Sequence, residues 1–320
     1  MAKTPVDYED YLYRVIATVY RYSRKVVVLD YPSSPAKRSI DLIVELLDGR
    51  RILAKVIYDA SMISKREVAE LSSIAHSLGV SALIVADRIG DEEVLDGVVY
   101  DRYGVNLVNL ETLENYLSGR DQVYVSKYKD LYTANVSGDR LREKRLESGL
   151  SLGDVAFMLK TSRKSVYEYE RGYMAPSVDK AEKLIEIFGD DILEPIDILA
   201  SPKKPVSKVD YDTSEEAAIG EKLSELGYKV SHAKRTVIDL AAGSSSGDKR
   251  MIIVIRRSRE SEERLASRLA KCDKASSILS TDVFVIISED APRAARSLES
   301  DRVIAVRMRE FLSRLSGGES

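Results

Sequence analysis

The chain has no tryptophan, one cysteine and two histidines in 320 residues. Cys272 stands alone, which excludes an intrachain disulfide. Together with His76 and His232 it supplies too few ligands for a Cys/His zinc cluster, so no metal is expected. A Ser-His-Asp triad has its residue types but no nucleophile elbow to carry it, and no catalytic residue is expected. Glycine-rich phosphate loops of the GxGxxG or GxxxxGK type are missing, so no cofactor is expected either. No apolar run approaches the roughly 18 residues that a membrane span needs. The first seven residues lack the apolar stretch of a signal peptide, which points to the cytoplasm and away from a membrane partner. Gln122 is the single glutamine. So few heat-labile amides among so many charges point to a thermophilic source.

What is present is a globular mixture, 44% hydrophobic and 32% charged, long enough for two or three domains. The net charge of −3 argues against non-specific coating of a polyanion and leaves room only for a local basic face.

The chain divides into residues 1–135, 136–197, a linker at 198–212, and 213–320. In the first segment, residues 7–22 bring Tyr11, Val15 and Val19 to one helix face. Val26, Val27, Val28 and Leu29 make a buried strand. Residues 39–47 and 51–58 read as a hairpin turned at Asp48 and Gly49. Ser64 and Glu67 form a capping box that opens a helix. Its apolar face is Val68, Leu71, Ile74, Ala75 and Leu78, and Gly79 closes it. Residues 82–86 and 105–108 are further strands, and 111–117 a short helix. Pro202, Lys203, Lys204 and Pro205 mark an exposed, semi-extended linker. Beyond it, Thr213 and Glu216 open another helix. Strands follow at 228–231, 236–241 and 251–255, then a helix at 260–279, strands at 283–287 and 304–306, and a final helix before a loose tail at 316–320. The same α-β-β-β-α-β order thus stands on both sides of a helical module. Ser39-Ile40-Asp41-Leu42 parallels Val237-Ile238-Asp239-Leu240, a pseudo-repeat.

The central segment reads as packed helices. Residues 141–148 are a helix closed by Gly149. Ser151 is an N-cap answered by Asp154, and the helix after it buries Val155, Ala156 and Leu159. Lys160 and Thr161 make a tight turn to Ser162, a second N-cap. The next helix buries Val166 and Tyr169 and stops at Gly172, and a fourth packs Ala181, Leu184, Ile185 and Phe188 over the set. Arg163, Lys164 and Tyr167 stay exposed at the start of the third helix. Arginine there can pair bidentately with guanine, Ser162 and Ser165 can bond phosphate or base, and the positive helix end attracts phosphate. Basic and acidic residues balance over 139–190, so any attraction must come from asymmetry within the module.

The series Ser151, Val155, Ala156, Ser162, Val166, Tyr169, Glu170, Arg171, Gly172 and Pro176 resembles the Cro/cI (Xre) family of helix-turn-helix domains over 140–190. With this module in mid-sequence, the whole chain is similar to archaeal Cro/cI-type transcriptional regulators. The resemblance implies a sequence-specific regulator whose helix 162–171 enters the major groove of double-stranded DNA, while the Ser151 region meets the backbone. The DNA-contacting residues it implies are Ser151, Ser162, Arg163, Lys164, Ser165, Tyr167 and Arg171. Glu170 would be structural, paired with a basic residue such as Arg142. Leu152 stands where the family often carries a DNA-contacting glutamine, so that contact is in doubt. One module reads few base pairs, so a homodimer is expected. The flanks would dimerise, bind backbone, or sense an unidentified protein or small-molecule effector.

Asp41 followed by a hairpin and Lys55 resembles the restriction-endonuclease and Holliday-junction-resolvase fold, whose carboxylates hold Mg²⁺ for phosphodiester cleavage. The expected architecture is therefore α/β plus all-α: an Xre-type module of four or five helices between two restriction-endonuclease-like α/β domains. Leu53 occupies the acid position before Lys55, and Glu45 is the one nearby substitute, four residues along the strand from Asp41. In the second copy only Asp239 remains, with Ile255 where Lys55 stands. Both flanks are expected to keep the fold and lack the chemistry, leaving Asp41 as a capping or surface residue and Lys55 as a snorkelling one. The alternatives are a metal-dependent nuclease using Asp41 and Lys55, or a protein-interaction adaptor. Arg256, Arg257 and Arg259, with Arg264 and Arg268 beyond, form either a second DNA patch or a solvated face paired with Glu260, Glu262 and Glu263.

Overall fold

Local signals set the element ends. In the computed structural model, which describes residues 8–200, 210–257, 260–287 and 300–316, α1 (Tyr8–Tyr20) is followed by β1 (Ser23–Val28), β2 (Leu42–Leu46) and β3 (Arg51–Val56). Helix α2 (Lys65–Leu78) starts at the Ser64/Glu67 capping box and ends at Gly79, left-handed at φ 61°. β4 (Ser81–Val85) returns parallel to β3, while β1–β2 and β2–β3 are antiparallel. Strand β2 begins three residues later than the apolar pattern implies. Ser39, Ile40 and Asp41 are fully buried, but their backbone bends, and Asp41 turns its carboxylate onto the Val56 N–H at 2.8 Å.

The next elements are β5 (Val98–Arg102), β6 (Val105–Val108), α3 (Leu110–Ser118), β7 (Val125–Tyr128) and β8 (Leu131–Ala134). Four helices follow: α4 (Gly138–Glu147), α5 (Leu152–Met158), α6 (Arg163–Glu170) and α7 (Val178–Phe188). β5 pairs parallel with β7, and β7 antiparallel with β8. Leu141, Val155, Ala156, Leu159, Val166, Tyr169, Leu184 and Phe188 close one core among the helices, as the spacing predicts.

The last stretch holds α8 (Ser214–Glu225), β9 (Tyr228–His232), β10 (Leu240–Ser244), β11 (Arg250–Ile255), α9 (Glu262–Leu279), β12 (Asp282–Ile287), β13 (Val303–Arg307) and α10 (Met308–Ser316). The order and pairing of the first copy recur: β9–β10–β11 antiparallel, then β12 parallel to β11. The late start recurs too. Val237, Ile238 and Asp239 are buried in a bend, and Asp239 accepts from the Ile255 N–H at 2.7 Å. The expected linker at 201–208 falls on residues 201–209, outside the described residues, as do most of the tail and the first seven residues.

The chain forms two compact units that divide close to the expected boundary at 197 but not at 135 or 212. One unit joins residues 1–92 and 103–105 to 199–320, and the other comprises 93–102 and 106–198. The two nuclease-like copies share the first unit because each lends its long helix to the other. α2 packs on β9 and β10, and α9 packs on β1 and β2. The cross-contacts match in position. Arg51, opening β3, donates to the Leu279 carbonyl (3.3 Å) and the Ser280 hydroxyl (2.7 Å) at the end of α9. Arg250, opening β11, lies beside Gly79 at the end of α2. Cations at these ends meet the negative pole of each helix. Side-chain charges are reversed between the copies: Glu70 of α2 faces Arg235 at 3.6 Å, and Lys271 of α9 pairs with Asp30. Ser39 N–H also donates to the Arg235 carbonyl (3.0 Å).

Closest approach falls at Gly243 of β10, where a Cβ would overlap the Ser77 carbonyl oxygen of α2. Backbone on both sides leaves little to yield, so Gly243→Ala is expected to destabilise this unit by about 1–3 kcal/mol. Thermal melts followed by circular dichroism should show a Tm lower by about 3–10 °C. An unchanged melt would contradict the reciprocal packing.

Candidate nucleic-acid interface

The helix-turn-helix is built from its caps outward. Ser151 accepts from the Asp154 N–H (3.2 Å), and Asp154 accepts from the Ser151 N–H (2.8 Å), the complete capping box. The Ser151 hydroxyl and amide hold the exposed Asp154 carboxyl below its usual range. Lys160 takes the left-handed region at φ 50° and turns the chain sharply into α6. Ser162 caps α6 through the Ser165 N–H (3.0 Å), and the two hydroxyls lie 2.9 Å apart. The inner face of α6 buries Val166 and Tyr169. Arg163, Lys164 and Tyr167 face outward with Arg171, and Lys164 reaches Glu168 one turn on at 3.7 Å.

Gly153 explains how α5 and α6 share this face. A Cβ there would come within 2.9 Å of Arg163 Nε, so the guanidinium lies over the start of α5. Ser151 and Arg163 are thereby brought to one surface, with Ser162, Lys164, Ser165, Tyr167 and Arg171 along α6. Leu152 is only partly buried and packs against the core, consistent with a second helix that lacks the usual glutamine.

Glu170 does not pair with Arg142, as expected from the resemblance, but with Arg145. Arg145 Nε and Nη2 donate to the two Glu170 oxygens at 2.5 and 3.1 Å, and both residues are buried. Glu170 in turn raises the arginine's pKa. The signal was periodic: Arg145 lies one turn after buried Leu141, whereas Arg142 falls on the exposed side. This fork fastens the C-terminal end of α6 to α4. Gly138 permits the approach, since a Cβ there would overlap the Glu170 carbonyl oxygen.

The two nuclease-like copies hold buried carboxylates of another kind. Asp41 Oδ2 accepts from Val56 N–H and lies 3.0 Å from Lys55 Nζ, while Oδ1 accepts from Tyr8 OH (2.9 Å) and faces Arg38 at 3.7 Å. Burial pushes the Asp41 carboxyl up, against the opposite pull of Lys55. Burial and Asp41 raise the Tyr8 phenol well above its usual range, so it remains a donor. Lys55 does not snorkel. It is 2% exposed, and its ammonium also donates to the Pro35 carbonyl at 2.8 Å. Asp41 is no surface residue either, and Glu45 does not join it. Glu45 sits at the far end of β2 opposite Arg51, about 13 Å along the strand.

Asp239 repeats the arrangement with different cations. Arg268 donates to Oδ2 at 2.6 Å, and Arg257 to Oδ1 at 3.2 Å. Burial lowers the Arg268 pKa, but Asp239 and Glu260 outweigh it and hold the guanidinium above its usual range. Of the arginines expected as a second patch, Arg268 is thus buried in the fold, and Arg257 is half exposed with its guanidinium on Asp239. Arg264 stacks over the Tyr31 ring at 5.4 Å, Arg256 is partly buried, and Arg259 lies outside the described residues. Cys272 is buried beside Arg268, and burial pushes its thiol up to about 12. Among the described residues one carboxylate–histidine group converges, Asp212, Glu216 and His232. Glu216 already accepts from the amides of Asp212 and Thr213, and Lys234 pairs with Asp212.

Comparison with known proteins agrees with this architecture. Residues 8–123 match the PD-(D/E)XK superfamily domain, and residues 141–192 match a helix-turn-helix domain. A protein of Aeropyrum pernix named "Putative HTH-type transcriptional regulatory protein" is 60% identical over 317 residues, 98% of this chain and 96% of its own length. Proteins of the same name from Sulfurisphaera tokodaii and Sulfolobus acidocaldarius are 30% identical over 266 residues and 37% identical over 227. They cover 82% and 67% of this chain, and 85% and 70% of their own. With an Xre-type module on a nuclease-like scaffold, and such identity over nearly its whole length, the chain belongs to this archaeal family of HTH-type transcriptional regulatory proteins.

Proposed function

We propose that the protein is a sequence-specific DNA-binding transcription regulator that places α6 in the major groove. The observation that carries this is the split of α6 into two faces. One is locked into the core by Val166, Tyr169 and the Arg145–Glu170 fork, and the other offers Arg163, Lys164, Tyr167 and Arg171 to solvent. Arg163 supplies a bidentate donor for guanine, and Ser151, Ser162 and Ser165 bond backbone or base edges. Binding as a homodimer doubles a site too short for one module. The two nuclease-like copies occupy one face of each other, so the partner chain meets another surface. Phe157 of α5, 86% exposed beside exposed Met158, favours a protein contact by the helical module itself. An effector of the regulator, protein or small molecule, is compatible with the flanks.

In this reading the nuclease-like unit is a scaffold and the protein is not an enzyme. Mg²⁺ needs several oxygen ligands, and a carboxylate binds it only through oxygens not already taken up by other donors. Asp41 and Asp239 instead have their oxygens engaged by Lys55 or Arg268 and by backbone N–H groups.

Selection of duplexes from a random DNA pool tests the binding reading. Wild type should enrich a two-fold symmetric site, and Arg163→Ala should weaken binding to it by about 10–100-fold and relax one base position. Absence of enrichment, with binding lost at moderate salt, would sink the regulator. The scaffold reading has its own check. Lys55→Met leaves buried Asp41 with only the more distant Arg38 and should cost about 3–5 kcal/mol in denaturant unfolding, with DNA affinity kept. Mg²⁺-dependent strand cleavage that disappears on Asp41→Ala would overturn it.

A further inference from the structure

The hairpin β7–β8 is left unexplained by the helix-turn-helix. Leu131 pairs with Tyr128, which leaves Lys129 and Asp130 as a two-residue loop. Lys129 sits at φ 55°, a corner where glycine or asparagine costs least.

The root of the hairpin is bonded to the segment that leaves α6. Ala134 N–H donates to the Pro176 carbonyl at 3.0 Å, and Thr133 bridges to Ser177. Pro176 follows the exposed residues Arg171, Tyr173 and Met174, so hairpin and α6 are tied within six residues of chain. The stem is packed: Lys127 is buried with its ammonium 4.8 Å from the Tyr132 ring and 5.6 Å from that of Tyr100. The tip is bare. Tyr128 is 61% exposed and Leu131 57%, and the Lys129 ammonium lies 5.4 Å from the Tyr128 ring. Two large exposed apolar side chains with a cation between them suit a surface that offers both apolar sugar faces and negative charge.

We infer that the β7–β8 hairpin is a second DNA-contacting element, with Lys129 on a backbone phosphate and the Tyr128 ring against the adjoining sugar, next to the groove that α6 enters. The inference rests on the reading of α6 as the recognition helix. A phosphate contact positions the protein and reads no base. It therefore adds affinity for every duplex alike, and adds about one unit to the salt slope.

The test uses the full chain, with Lys129→Gly and Tyr128→Ala. Lys129→Gly removes the ammonium and relaxes the corner, so a weaker complex cannot be blamed on a broken turn. Kd is measured over a salt series on the duplex selected by wild type and on an unrelated duplex of equal length. Each variant should bind both duplexes about 3–10-fold more weakly, and Lys129→Gly should lower the salt slope by about one while the preference between duplexes stays fixed. Wild-type Kd and slope in both variants, with Arg163→Ala still impaired, would overturn the hairpin contact alone and assign the exposed tip to a protein. Loss of preference without loss of affinity would overturn it as well. If wild type prefers no duplex, the reading of α6 falls, and this inference with it.

Discussion

A carboxylate taken out of water is costly unless its charge is answered, and three buried carboxylate–cation pairs among the described residues set the frame of this chain. Asp41 meets Lys55, Asp239 meets Arg268, and Glu170 meets Arg145. In each, hydrogen bonds fill the remaining places, so the pair fixes geometry as well as charge. Two of them sit at equivalent bends in the two nuclease-like copies and tie that bend to the neighbouring strand. The third ties the helix that carries the exposed basic face to the helix before it. Breaking any one takes from a buried carboxylate its nearest cation.

The same constraint recurs in both nuclease-like copies. In each copy the buried carboxylate is held by a side chain, lysine in one and arginine in the other. The copies then meet through reciprocal helices, with Glu70 on Arg235 answered by Lys271 on Asp30. Reversed charges at matching positions favour the internal pair over two identical copies. The helix-turn-helix forms its own core from Leu141 to Phe188 and needs nothing from the carboxylates of the scaffold.

Much of this was legible in the residues. Capping boxes at Ser64, Ser151 and Thr213 and glycines at 79, 149 and 172 mark helix ends by local hydrogen bonding, which acts over a few residues. The exposed face of α6 follows from helical period alone. What was not legible depends on distant partners. Ile40 and Ile238 are buried like strand residues, yet their backbone bends, because the following aspartate serves another strand. Lys55 reads as a snorkelling lysine until Asp41 is found beside it. Arg268 reads as surface charge, although a residue 29 positions earlier draws it into the core. The strands at 98–102 and 125–134 carry mixed polar and apolar residues, and their pairing with each other gives no periodic signal strong enough to place them.

In the proposed function, recognition falls to one short helix whose inner face is held in the core and whose outer face is basic at its start. Methylation interference on a selected duplex addresses this most directly, because guanine N7 lies in the major groove and adenine N3 in the minor groove. The account predicts that methylating N7 of one or two guanines in each half-site abolishes binding, while N3 methylation at the same half-site is tolerated. Binding blocked only by N3 methylation, or indifferent to both, would contradict it.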